Sequence, residues 1–139
     1  MTETALIIQS VSWQQVLPVR HQVLWPDKPE SFCRVEGDES AWHLGGFVDD
    51  QLVSVASVYY HDNEARLRKF ATLPAFQRHG IGTAMLSQLL TQLRSQSVNY
   101  FWCDARETAQ SFYQRFGMQV EGERFYKGEI PYFRMGLSF

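Results

Sequence analysis

The sequence predicts one mixed α+β domain, an α/β chain with antiparallel ends. Three observations predict it. Runs of strand period and helix period alternate from Leu6 to Ser138, with turn residues between them. Val98 to Cys103 is a near-continuous apolar run, the pattern of a central strand buried on both faces. The 139 residues, 45% of them apolar, suit a single domain spanning 1–139 that buries roughly two-thirds of its unfolded surface. No repeat, low-complexity tract or linker divides the chain.

Leu6 to Val11 reads as the first strand. Ser12 and Gln15 have the spacing of a capping box, so a helix starts there. Pro18 lies inside it and should bend it or split it in two before Trp25. Pro26 and Pro29 close the segment. Trp42 to Val48 and Leu52 to Tyr60 are β-rich runs joined by a turn at Asp49-Asp50-Gln51. A second turn, His61 to Glu64, leads to a third strand, Arg66 to Thr72, which Pro74 stops. From Ile81 to about Arg94 apolar residues recur at helical spacing. After the apolar run at Val98 to Cys103, Thr108 to Phe116 forms a helix with Ala109, Phe112, Tyr113 and Phe116 on one face, ended by Gly117. Gln119 to Tyr126 and Tyr132 to Ser138 make a final hairpin around Lys127 to Pro131.

Composition narrows the function classes. The net charge is −2 and the basic residues are scattered along the chain, which argues against nucleic acid as a partner. No apolar run approaches the roughly 18 residues of a membrane span, and the start, Met1-Thr-Glu-Thr, lacks the basic region of a signal peptide. Cys33 and Cys103 lie far apart and form no metal-like pair, so the chain reads as cytoplasmic with unpaired thiols. His21 and His61 have no metal spacing, and His43 reads as a hydrogen-bonded structural histidine. Aromatics at 14% suit a ligand groove as well as a core; Trp25, Phe32, Trp42 and Tyr59 are candidates for either.

The most informative stretch is Gln77-Arg78-His79-Gly80-Ile81-Gly82, between a strand and a helix start. Glycines let backbone approach an anion, and the first helical turn supplies unpaired N–H groups and a positive dipole end. Three phosphate loops compete. A dinucleotide fingerprint requires a third glycine where this chain has Met85, and a nucleoside-triphosphate loop requires a Gly-Lys-Ser/Thr run that is absent. The third is Arg/Gln-x-x-Gly-x-Gly/Ala following a strand and a proline, which Pro74 and Gln77 to Gly82 match.

That pattern resembles the acyl-CoA motif of the GNAT superfamily of N-acetyltransferases. Ala109-Gln110-Ser111-Phe112-Tyr113-Gln114-Arg115-Phe116-Gly117-Met118 is similar to the superfamily's last-helix motif, and the order of elements agrees over Leu6 to Phe139. The resemblance implies a central, mostly antiparallel mixed sheet with splayed parallel central strands, flanked by helices. It implies acetyl-CoA as cosubstrate, with no metal. Pantetheine would pair with the backbone of Phe70, Ala71 and Thr72. The pyrophosphate would sit on the N–H groups of Gln77, Arg78, His79, Gly80, Ile81 and Gly82, with Thr83 beginning the helix. Arg78 and His79 would add charge there or merely be solvated loop residues.

The implied reaction is direct attack of an amine of a small molecule or peptide on the thioester. Tyr113 matches the superfamily's acid that protonates the leaving sulfur; its plainer role is packing beside Phe112. Two matches fail. The glutamate of histone acetyltransferases is replaced by Arg66, and a common asparagine by Arg106. Asp62, Glu64 and Asp104 are candidate bases by location, with surface carboxylates as the plainer reading of each. A non-catalytic acyl-CoA-binding domain is the alternative, against which Tyr113 speaks. An apolar final hairpin would serve a homodimer.

Overall fold

Tyr100 to Arg106, an inner strand of the sheet, is flanked on one side by a strand running with it and on the other by one running against it. The computed structural model describes residues 5–139, so the Met1-Thr-Glu-Thr start lies outside the described residues. Seven strands among them form one sheet: β1 (Leu6–Val11), β2 (Trp42–Val48), β3 (Gln51–His61), β4 (Glu64–Thr72), β5 (Tyr100–Arg106), β6 (Gln119–Lys127) and β7 (Ile130–Ser138), in the order β1-β2-β3-β4-β5-β7-β6. Only the β4–β5 pair is parallel, and the helix α2 (Ile81–Arg94) connects those two strands, as the sequence predicts.

Local chemistry explains the turns. Asp49 and Asp50 both take left-handed φ, 50° and 64°, which two-residue hairpin loops between right-twisted strands require. Gln51 is therefore already strand, and the predicted three-residue turn shortens by one. Asp62 has φ 54° in the next hairpin, where His61 pairs with Glu64. The last hairpin is likewise tighter than predicted, with Lys127 opposite Ile130 around Gly128 and Glu129. Tyr126 (60% exposed) and Ile130 (40%) stand out in solvent there.

Helix α1 (Trp13–Leu24) has the predicted capping box: Gln15 N–H donates to Ser12 Oγ and Ser12 N–H to the Gln15 side chain. Pro18 neither splits nor ends it; the helix runs through, losing one backbone donor. The last helix, α3 (Gln110–Gln114), is shorter than the predicted Thr108 to Phe116, because Glu107–Ala109 forms a tighter 3₁₀ turn first. It closes on Gly117, φ +90°: Gly117 N–H bonds to Gln114 O and Met118 N–H to Tyr113 O, the two bonds of a Schellman end. Val98 lies in the connection before β5, which starts at Tyr100 and continues to Arg106.

The helices cover both faces of the sheet. On one, Met85 Sδ of α2 lies 3.1 Å from where a Cβ on Gly46 would stand, so the glycine permits that close approach. On the other, α1 buries Val16 and Val19 and sends Arg20 into a polar core. Arg20, fully buried, donates to both Asp38 carboxylate oxygens (2.9 and 3.1 Å), the Cys33 carbonyl (3.0 Å), Ser57 Oγ (2.9 Å) and Tyr59 Oη (3.1 Å). Tyr59 also donates to Asp38, and His43 bridges Ser57 Oγ and the Asp38 carbonyl. His43 is thus the structural histidine expected. Burial by itself would raise the Asp38 pKa, but hydrogen bonds from Arg20, Tyr59 and the Val35 N–H outweigh it and the carboxyl is lowered. This network ties α1 and the segment after it to β2 and β3, and so fixes Leu24 and Trp25 beside β4.

Candidate active site

The parallel ladder between β4 and β5 has three rungs: Glu64 with Tyr100, Ala65 with Phe101, Arg66 with Trp102. Beyond Arg66 the strands part, while β5 stays paired with β7 to Arg106. The β4 edge from Leu67 onward therefore offers backbone donors and acceptors with no partner strand. A bulge accompanies the parting. Ser57 pairs with Arg68 but Val55 with Ala71, and Lys69 between them has φ 55°. A non-glycine residue in that conformation is strained, as is common at functional sites.

Two hollows flank the gap. The first, about 400 Å³, is lined by Thr72, Gln77, Arg78, Gly80, Ile81, Gly82 and Thr83 from the glycine loop, and by Phe112 and Arg115 from α3. Arg78 (φ 65°) and Gly80 (φ 78°) both turn left-handed, and Gln77 Nε2 donates to Thr72 O at 2.9 Å, which pins the loop to the strand end. No side chain caps the N-terminus of α2, so its first-turn N–H groups remain available. Backbone so arranged can cradle an anion. Of the predicted cofactor residues, His79 and Ala71 line neither hollow; Ala71 is buried in the β3–β4 ladder.

The second hollow is a cleft of about 420 Å³. Phe70 and Tyr113 line it, with Leu24 and Trp25 from the end of α1 and Lys127 and Tyr132 from the last hairpin. Consecutive residues of α3 thus serve the two hollows, Phe112 the first and Tyr113 the second. Phe70 and Phe112 stand 6.3 Å apart, both within 4 Å of where a Gly82 side chain would begin. Burial pushes the Tyr113 phenol well above its ordinary range, and its neighbour Cys103 adds to this, so the hydroxyl keeps its proton. Cys103, buried on β5, is itself pushed up to about 12, chiefly by burial.

The residues scattered in sequence gather here. Arg66, Arg68, Lys69, Arg106 and Lys127 all line the cleft, with Asp104 as their carboxylate. Asp104 pairs with Arg66 at 3.0 Å and Lys127 at 3.6 Å. Of the three candidate bases it alone lines the cleft; Asp62 sits exposed beside His61, and Glu64 lies at the paired end of β4. Of the aromatic candidates Trp25 lines the cleft, Phe32 packs edge-on against it at 5.4 Å, Tyr59 belongs to the Arg20 network, and Trp42 bonds to Ser10. Sequence reasoning missed Lys69, Lys127 and Cys103 as cleft residues. The alternation of Arg66 and Arg68 along one strand was a usable signal; the bulge that brings Lys69 in had none.

The family described as "Acetyltransferase (GNAT) domain" matches residues 14–139. The uncharacterized N-acetyltransferase YitI of Bacillus subtilis is 28% identical over 135 residues, covering 91% of this chain and 89% of YitI. The ribosomal-protein-S18-alanine N-acetyltransferase of Escherichia coli shares the fold with a TM-score of 0.84 at 20% identity, over 96% of this chain and 94% of that one. The PaiA N-acetyltransferase of Thermoplasma acidophilum, solved in complex with coenzyme A, does so with a TM-score of 0.74 at 16% identity, over 98% and 100%.

Proposed function

Because this chain belongs to the GNAT acetyltransferase family and is thereby an acyltransferase, we propose that it moves an acetyl group from acetyl-CoA to a primary amine of a small molecule or peptide. The observation that carries this reading is a pair of hollows served by neighbouring residues of β4 and α3, one lined by the glycine loop and the other by the protonated Tyr113. The cofactor's pyrophosphate would rest on the backbone from Gln77 to Thr83, with Arg78 and Arg115 beside it. Its pantetheine arm would pair with the unpartnered edge of β4 at Phe70 to Thr72.

Transfer is direct, within a ternary complex. The amine nitrogen bonds to the acetyl carbon and the carbon–sulfur bond breaks. Tyr113 gives its phenolic proton to the departing sulfur, and the proton shed by the amine reaches solvent, from which the tyrosine is restored. A homodimer through the last hairpin is part of the same reading, supported by the exposure of Tyr126 and Ile130; sedimentation would read it. Thiol release from acetyl-CoA with a panel of amines tests the reading. Amine-dependent release is expected. Binding of acetyl-CoA without release to any amine would leave a non-catalytic acyl-CoA-binding domain.

A further inference from the structure

The cleft's charge is out of proportion to the chain's. The protein carries 13 Lys and Arg against 15 Asp and Glu, yet five basic side chains line this one cleft against a single carboxylate. Arg66 and Lys127 share that carboxylate, Asp104. Arg68, Lys69 and Arg106 have no acidic partner within ion-pair distance among the described residues. Arg68 lies over the Tyr59 ring at 5.6 Å and Lys69 over the Trp25 ring at 4.6 Å. Aromatic faces orient such cations without neutralising them.

We propose that the acceptor is a small amine that carries an anionic group, a carboxylate or a phosphate, bound in the cleft by Arg68, Lys69 and Arg106. This rests on the acetyltransferase reading above. A volume of about 420 Å³ suits a small molecule. Burial and the neighbouring Arg68, Lys127, Arg20 and Arg66 hold Lys69 down at about 8, a crowding of like charge that a bound anion relieves. The left-handed backbone at Lys69, strained for a residue other than glycine, holds that cation in the gap. The same field disfavours an ammonium ion, so the acceptor's amine enters as the neutral nucleophile while its anion supplies the affinity.

Matched amines differing only in the anion test this: 4-aminobutyrate against butylamine, 5-aminopentanoate against 5-aminopentanamide, 3-aminopropyl phosphate against 3-aminopropanol. With the wild-type protein and acetyl-CoA, the anionic member should show a kcat/KM about tenfold or more above its partner, and the pairs separate carboxylate from phosphate. In the double variant Arg68→Gln, Lys69→Gln that preference should collapse, with acetyl-CoA affinity by calorimetry unchanged. Equal or better use of the uncharged members overturns the inference and leaves acetyl transfer standing. So does a variant that loses acetyl-CoA affinity while keeping its preference, since the cations would then serve the cofactor. Absence of thiol release with every amine sinks the acetyltransferase reading itself. Binding then decides: quenching of tryptophan fluorescence by glutarate or inorganic phosphate, lost in the double variant, upholds the anion site, and no quenching by either overturns it.

Discussion

Phe112 and Tyr113, consecutive on α3, meet edge-on with ring centroids 5.1 Å apart, and each lines a different hollow beside the β4–β5 gap. If Tyr113 protonates the departing thiolate, Tyr113→Phe removes that proton and keeps the packing with Phe112. Turnover at saturating substrates should fall by about 10²–10⁴-fold with acetyl-CoA affinity nearly unchanged, read by stopped-flow thiol release. Because the phenol is raised above its ordinary range near 10, no loss of turnover from its ionisation should appear below about pH 9. Wild-type turnover in a folded Phe variant would reduce Tyr113 to a packing residue.

The thiols give a prediction that needs no substrate. Cys33 and Cys103 are both buried, and burial raises both. The thiolate is the reactive form, so iodoacetamide at about pH 8 should leave both unmodified in the folded protein and label both in urea. Mass spectrometry reads the result. Rapid labelling of Cys103 in the native protein would mean that its sulfur is open to reagent through the cleft it lines, against the burial found for it.

Legibility in the sequence followed the range of the interaction. The capping box at Ser12 and Gln15, the paired aspartates at Asp49 and Asp50, and the helix end at Gly117 are set within a few residues, and all stand where the sequence placed them. The glycine loop was legible because one continuous stretch makes it. The cationic cleft was not: it draws on β4, β5 and the last hairpin, and on a bulge at Lys69 that no local pattern announces. The Arg20 network was equally hidden, since its partners Asp38, Ser57 and Tyr59 lie 18, 37 and 39 residues away. Of the two outcomes that Pro18 left open, one helix or two, the chain takes the single helix.

That network predicts a pH dependence of stability. Burial lowers His43 below its usual value near 6.5, although the Asp38 carbonyl and carboxylate oppose this. A histidine kept neutral in the fold binds fewer protons than in the unfolded chain. Its contribution is complete above about pH 6.5 and is lost as pH falls from there through the folded value. Asp38, lowered in the fold, adds a second loss below about pH 4. Urea midpoints should therefore fall between about pH 6.5 and 5 in the wild type, and more shallowly in His43→Asn. Parallel curves for the two proteins would remove His43 as the titrating group.

The central claim is that acetyl-CoA occupies the glycine-loop hollow and reaches the β4–β5 gap. Gly82 is the second residue of α2; its missing side chain opens toward Phe70 and Phe112, and Gly82→Asp would put bulk and negative charge where the pyrophosphate is to lie. Calorimetric titration of acetyl-CoA into both proteins, with circular dichroism to establish that the variant folds, is the most direct test. Saturable binding to the wild type and loss of at least about tenfold in affinity in a folded variant is the expected result. Equal affinity in a folded Gly82→Asp protein would put the cofactor elsewhere and contradict the account.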